Sequence, residues 1–154
     1  MLTLGQTAPE FSLQDANSTT HHLNSYNGKI VVLYFYPKDD TPGCTIEAKE
    51  FSELSGAFKA EDSIVFGVSK DSIESHCSFR DKYGLSVTLL SDPSGSVTEA
   101  YGALGEKSNY GKTYMGIMRT TVVIDKTSKI AKIWTSVKAA GHAAKVLEFV
   151  KEIK

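Results

Sequence analysis

Cysteine is nearly missing from this chain: among 154 residues only Cys44 and Cys77 carry a thiol. Two cysteines cannot make a disulfide scaffold, and no Cys-x-x-Cys pair exists, which excludes a thioredoxin-type reductase. His21, His22 and His76 stand at no metal-ligand spacing with each other or the thiols, so no metal is expected. Long apolar runs are also lacking; none approaches the roughly 18 residues that a bilayer crossing takes. The opening "MLTLGQTAPEF" has neither the basic stretch nor the apolar core of a signal peptide. Nor does either charge dominate, since 17 Lys and Arg face 18 Asp and Glu for a formal net charge of −1. That balance removes the usual electrostatic case for nucleic acid or a membrane as partner. Sparse thiols without an export signal point to a reducing compartment, so a cytoplasmic protein is expected. Repeats, low-complexity tracts and linker-like shifts in composition are lacking too, and residues 1–154 are read as a single domain.

What the chain does have is an alternation of strand and helix patterns. "FSLQD" and "THHLNSY", split by a polar turn, suggest an N-terminal β-hairpin. "KIVVLYFYP" is an almost unbroken apolar run closed by proline, as in a strand buried on both faces. Ala48, Phe51, Leu54 and Phe58 then recur at helical spacing, predicting one helix from about Pro42 to Phe58. "SIVFGVS" reads as a second buried strand. "DSIESHCSFRDKYG" reads as a helix opened by an Asp71–Glu74 capping box and closed by Gly84. A short strand "VTLLSD", a short helix "SVTEAYGAL", a hairpin "TTVVID"/"KIAKIWTS" and a terminal helix with Val146, Phe149 and Val150 on one face complete the order. The sum is an α/β protein, a central mixed sheet flanked by helices. It fits a thioredoxin-like fold with an N-terminal extension, although periodicity alone does not separate it from a flavodoxin-like sheet. "GEKSNYGKT" is not a phosphate loop, because five residues rather than four separate Gly105 and Gly111; a mobile polar loop is expected there.

Cys44 stands where a helix begins. Thr41 suits the N-cap and Pro42 the first helical position, which puts the thiol at about the third. There it would meet unpaired backbone N–H groups and the positive end of the helix dipole, both of which favour the nucleophilic thiolate. Periodicity also puts Cys44 on the core-facing stripe. From these residues alone, an inert packed thiol and a reactive one remain equally open.

The wording of the sequence goes further. "FYPKDDTPGCTIEA", "GQTAPEFSLQD" and "MRTTVVID", in that order across essentially the whole chain, resemble the peroxiredoxins, and among them the Q-type, bacterioferritin-comigratory-protein group. The resemblance implies a thioredoxin-like (peroxiredoxin) fold. It also implies a thiol-dependent peroxidase that reduces hydrogen peroxide and organic hydroperoxides without metal, haem or other cofactor. Carried over by position, Cys44 is the peroxidatic cysteine and Arg119 the active-site arginine. Pro37 and Thr41 belong to the motif around them, and the Thr41 hydroxyl can bond to a peroxide. Pro42 would shield the sulfur, Gly43 would let the neighbouring backbone rearrange, and Glu47 would orient Arg119. With Pro37, Thr41 and Arg119 these make up the substrate-binding set. Asp39 and Asp40 are expected to form a solvated polar loop.

Many Q-type sequences place a second cysteine five residues after the first, where this chain has Lys49. The resemblance therefore assigns resolution to Cys77, 33 residues downstream of Cys44, as an intramolecular disulfide recycled by thioredoxin or a similar dithiol. The alternatives are a one-cysteine peroxidase using an external thiol, or a non-enzymatic thioredoxin-fold sensor or holdase. A monomer is expected.

Overall fold

The strand Ile30–Phe35, β3, is buried at all six positions and stands at the middle of the molecule. Its side chains alternate between two cores. Val32 and Tyr34 enter one with Cys44, Ala48, Phe51, Phe79 and Val146; Val31, Leu33 and Phe35 enter the other with Phe66, Tyr101 and Val122. Burial on both sides explains why the apolar run shows no polar alternation.

The computed structural model describes residues 2–153. Around β3 runs a seven-stranded sheet in the order β2-β1-β5-β4-β3-β8-β9. Its other members are β1 (Ser12–Asp15), β2 (Thr20–His22), β4 (Ser63–Ser69), β5 (Thr88–Ser91), β8 (Thr120–Ile124) and β9 (Ile130–Trp134). β3 pairs in parallel with β4 and antiparallel with β8, so the sheet is mixed, as expected. The N-terminal hairpin is present as β1 and β2, and β1 also pairs antiparallel with β5. Helices α1 (Pro42–Glu53), α2 (Ser55–Ala60), α3 (Ile73–Tyr83) and α5 (His142–Ile153) send core residues to the Tyr34 side. The short α4 (Ser96–Ala100) has Val97 packed on the other core. Among the described residues no helix is long and apolar enough to cross a membrane.

Three local expectations change. The single helix over 42–58 is broken at Leu54, whose φ of −94° and ψ of 3° leave the helical region. The cause lies in hydroxyls that compete with the backbone ladder. Ser55 Oγ and Ser86 Oγ both donate to the Ser52 carbonyl, while Ser52 Oγ accepts from the backbone of Ser86 and Val87. The start of α3 is capped by Ser72, whose hydroxyl accepts from Ser75 N at 3.1 Å, rather than by an Asp71–Glu74 box. Asp71 is occupied elsewhere, by Ser69 and the backbone of Asp39. The C-terminal end is as expected, with Gly84 at a φ of 62°.

The segment expected to be a mobile polar loop is instead a hairpin of its own, β6 (Leu104–Asn109) with β7 (Lys112–Ile117). Its two-residue turn is Tyr110–Gly111, with φ of 52° and 78°, the left-handed pair that a tight hairpin turn requires. The first four residues of β7 are exposed, so the apolar alternation that usually reveals a strand is missing.

Candidate active site

α1 begins where β3 ends, so the sheet delivers Cys44 to the carboxyl edge of its central strand. Thr41 has extended backbone and Pro42 takes the first helical turn, but the Thr41 hydroxyl does not cap the helix. It donates instead to the Lys38 carbonyl at 2.8 Å, which leaves its oxygen lone pairs able to accept a further bond. Pro37 is half-buried and Pro42 exposed, while Cys44 is only 1% exposed.

Cys44 and Glu47 lie three residues apart on α1, which puts both on one helical face. Arg119, on the segment just before β8, reaches across to both. Its Nη2 donates to Cys44 Sγ at 3.4 Å and its Nη1 to Glu47 Oε1 at 2.7 Å. The carboxylate thus holds the guanidinium by one nitrogen and turns the other to the sulfur, the fixed fork that arginine provides and lysine does not. Gly43 leaves room for it: a Cβ there would stand 3.0 Å from Arg119 Nη2.

Glu47 is fully buried, and its second oxygen has no hydrogen-bond partner among the described residues. Burial pushes its carboxyl up to about 7 from an ordinary 4.5, with the Arg119 cation pulling the other way. Tyr34 lies in the same core cluster as Cys44, its ring stacked on Phe51 at 4.6 Å, and its hydroxyl likewise has no hydrogen-bond partner among the described residues. Burial first, then the charges of Glu47 and Cys44, hold the Tyr34 phenol well above its usual range, so it stays protonated. Nothing in the apolar run around Tyr34 distinguishes it from a packing residue, so sequence reasoning missed it.

Cys77 is not part of this cluster. It is half-buried on α3, where Arg80 Nη2 donates to its sulfur at 3.4 Å and its thiol faces Asp81 at 3.7 Å. Both cysteines are free. Lys49, in place of the nearby second cysteine, is exposed with its ammonium 5.0 Å from the Tyr83 ring centre. Asp40 is exposed as expected, but Asp39 is buried and fully partnered, so the solvated-loop reading fails there. A cavity of about 340 Å³, lined by residues including Lys29, Ser63 and Thr88, lies where β3, β4 and β5 begin, at the opposite end of the sheet from Cys44.

A buried thiol on a helix start, with a carboxylate-anchored arginine on its sulfur, is an arrangement suited to thiol redox chemistry. Residues 4–133 match the AhpC/TSA family. The chain is 43% identical over 150 residues to peroxiredoxin Bcp of Bacillus subtilis, covering 97% of this chain and 96% of that one. It is 40% identical over 151 residues to peroxiredoxin Bcp of Escherichia coli, covering 98% and 97%. Among solved structures, the bacterioferritin comigratory protein of Xanthomonas campestris superposes with a TM-score of 0.91 at 36% identity, over 99% of this chain and 97% of the other. That structure concerns alkyl peroxide reduction. A peroxiredoxin Q variant from Xylella fastidiosa gives 0.94 at 37% identity, again over 99% and 97%. The chain therefore belongs to the AhpC/TSA family, as a peroxiredoxin of thioredoxin-like fold.

Proposed function

We propose that this peroxiredoxin reduces hydrogen peroxide and organic hydroperoxides at Cys44, resolves the product with Cys77 and is recycled by thioredoxin or a similar dithiol. The Cys44 thiolate attacks one peroxide oxygen. A sulfur–oxygen bond forms, the oxygen–oxygen bond breaks, and the second oxygen leaves as alkoxide or hydroxide and takes a proton. Sulfur is oxidised to the sulfenic acid and the peroxide is reduced to alcohol or water. Arg119 Nη2, already on the sulfur, faces the charge that shifts from sulfur to departing oxygen. The Thr41 hydroxyl, its own hydrogen held by Lys38, acts as acceptor for the peroxide O–H. Pro37, Pro42 and Gly43 form the wall beside them.

Cys77 then attacks the sulfenic sulfur, giving a Cys44–Cys77 disulfide and water, and an external dithiol returns both thiols while becoming a disulfide itself. The enzyme works as a monomer of one domain in the cytoplasm. The carrying observation is the double contact of Arg119, one nitrogen on Cys44 and the other on Glu47. A sensor needs a reactive thiol, but it has no use for a cation held where an oxygen departs.

Peroxide consumption with thioredoxin, its reductase and NADPH tests the reading. Steady turnover supports it; a folded protein that forms no sulfenic acid with excess peroxide overturns it. A single oxidation event with no Cys44–Cys77 bond leaves the one-cysteine alternative, which the half-exposed position of Cys77 apart from the site favours.

A further inference from the structure

Two adjacent acids, Asp39 and Asp40, stand just ahead of the helix that carries Cys44, and both reach α3, the helix that carries Cys77. Asp40 has a φ of 58°. The two carboxylates consequently find different partners. Asp39 Oδ2 accepts from Ser75 Oγ at 2.8 Å and His76 Nδ1 at 2.7 Å, while its Oδ1 accepts from the Tyr36 hydroxyl at 2.6 Å. Asp40 accepts from Lys82 Nζ at 2.7 Å and from the Tyr83 hydroxyl at 2.6 Å. One acid is fastened to the first turn of α3 and the other to its last, with Cys77 between.

We infer that Asp39 and Asp40 clamp the loop before Cys44 to both ends of α3, and that release of the Asp39 end sets how fast Cys77 closes the disulfide. The inference rests on the assignment of Cys44 and Cys77 proposed above. A disulfide needs Cα atoms within about 7 Å, and both sulfurs are free with separate polar neighbours. Arg80, bonded to the Cys77 sulfur, also donates to Asn17 in the turn between β1 and β2. Arg119, bonded to the Cys44 sulfur, leads into β8. Cys44 is sealed at 1% exposure in the core cluster on the Tyr34 side, whereas Cys77 is half-buried and no member of that cluster. One of the two elements has to leave its place, and the clamp holds both.

The two ends differ in strength. The Asp39 and His76 side chains are 4% and 0% exposed, and His76 Nε2 also faces the Leu90 carbonyl at 3.0 Å, so α3 is tied to β5 as well. The Asp40–Lys82 pair is 40% and 58% exposed, and such pairs contribute little. Removing a partner from a buried pair is costly by comparison. The cluster Asp39, Asp71 and His76 resembles a cation site, with candidate ligand atoms within 4.8 Å of one another. Those oxygens are already taken: Asp71 Oδ2 accepts from Ser69 Oγ and the Asp39 backbone, and Asp39 Oδ2 from Ser75 and His76.

When the clamp opens, the Cys77 sulfur attacks the sulfenic sulfur of Cys44; the sulfur–sulfur bond forms, and the sulfenic oxygen leaves as water with the Cys77 proton. The test is rapid mixing of the full-length reduced enzyme with hydrogen peroxide, quenched at intervals and read by mass spectrometry. Ser75→Ala removes one bond and keeps the buried pair. It should form sulfenic acid within about threefold of the parent rate yet close the disulfide about tenfold faster, the effect of one charge-assisted hydrogen bond. Asp39→Asn should accelerate closure at least as much, and Asp40→Asn by less than about twofold. Hydrogen exchange of the reduced Ser75→Ala protein should rise about tenfold over residues 72–77 and stay unchanged in β3 and β4. Unchanged closure and exchange in folded Ser75→Ala, or Asp40→Asn matching Asp39→Asn, overturns the clamp. A parent enzyme that never forms the Cys44–Cys77 bond overturns the two-cysteine assignment itself, and does so before any variant is compared.

Discussion

Cys44 and Cys77 are the same side chain in two different settings. The first is sealed at 1% exposure beneath a helix start, with an arginine on its sulfur and a buried carboxylate behind that arginine. The second is half-buried on a helix face with Arg80 and Asp81, both within four residues of it and both reaching towards solvent. Each sulfur has a guanidinium at 3.4 Å, so proximity of a cation does not distinguish them. What differs is how that cation is held. Arg119 is anchored by Glu47, a fully buried partner, whereas Arg80 is shared between exposed Asp81 and Asn17. A charge anchored by a buried partner is preorganised to act on a transition state; one anchored by exposed partners is held less rigidly and is more screened.

The largest expected effect removes one member of the comparison. Cys44→Ser should abolish peroxide turnover, whereas Cys77→Ser should keep one stoichiometric sulfenic acid per chain and lose only thioredoxin-supported cycling. Counting sulfenic acid with a trapping reagent checks both. Next comes Arg119→Ala, which should slow Cys44 oxidation by around 10²- to 10³-fold, the usual consequence of losing one such donor. Arg80→Ala is the matching change at the other cysteine and should leave that first rate within about twofold, because this half-buried cation is held only by exposed partners and lies on the other sulfur.

Glu47 gives a smaller effect with a definite sign. Its carboxyl sits at about 7 in the folded protein against an ordinary 4.5. A raised carboxyl favours the folded state fully below the unfolded value and loses that contribution as pH rises through the folded one. Between pH 5 and pH 8 this group alone should therefore lower stability by about 2–3 kcal/mol. Glu47→Gln should flatten that decline in urea titrations at the two pH values, and it should also slow Cys44 oxidation by freeing Arg119. If the decline with pH is as steep in the variant as in the parent, the buried carboxyl is not its source. Lys49→Ala is the smallest change: an exposed cation over the Tyr83 ring contributes about 0.5–1 kcal/mol at most, and the peroxide rate should not move.

The sequence made one half of this comparison much easier to read than the other. Cys44, Glu47 and Arg119 were found through words of the chain, and the structure brings them into contact. β3, β4, α3 and the hairpin β8–β9 were legible because a doubly buried strand, a Gly84 stop and a short polar turn each leave a local mark. The hairpin β6–β7 was not, since the first four residues of β7 face solvent and carry no periodic signal. The break at Leu54 depends on Ser86, 34 residues from the Ser52 carbonyl it binds, and no local pattern reports such a bond. Asp39 illustrates the same limit. Its neighbours in sequence are polar, but its partners Ser75 and His76 lie 36 and 37 residues away. Tyr34 looked like one more core aromatic, and only burial beside Glu47 and Cys44 makes its hydroxyl notable.

The contact between Arg119 and Cys44 spans 75 residues of chain, and that distance has a meaning in time. A ribosome adds roughly 5–20 residues per second, so Cys44 is made about 4–15 s before the arginine that gives its sulfur a cationic neighbour. β8, which Arg119 precedes and which completes the pairing of β3, is made later still. Throughout that interval the thiol belongs to an unfinished chain with no seat for a peroxide. The Arg119–Cys44 contact is therefore among the last parts of the site to become possible during synthesis.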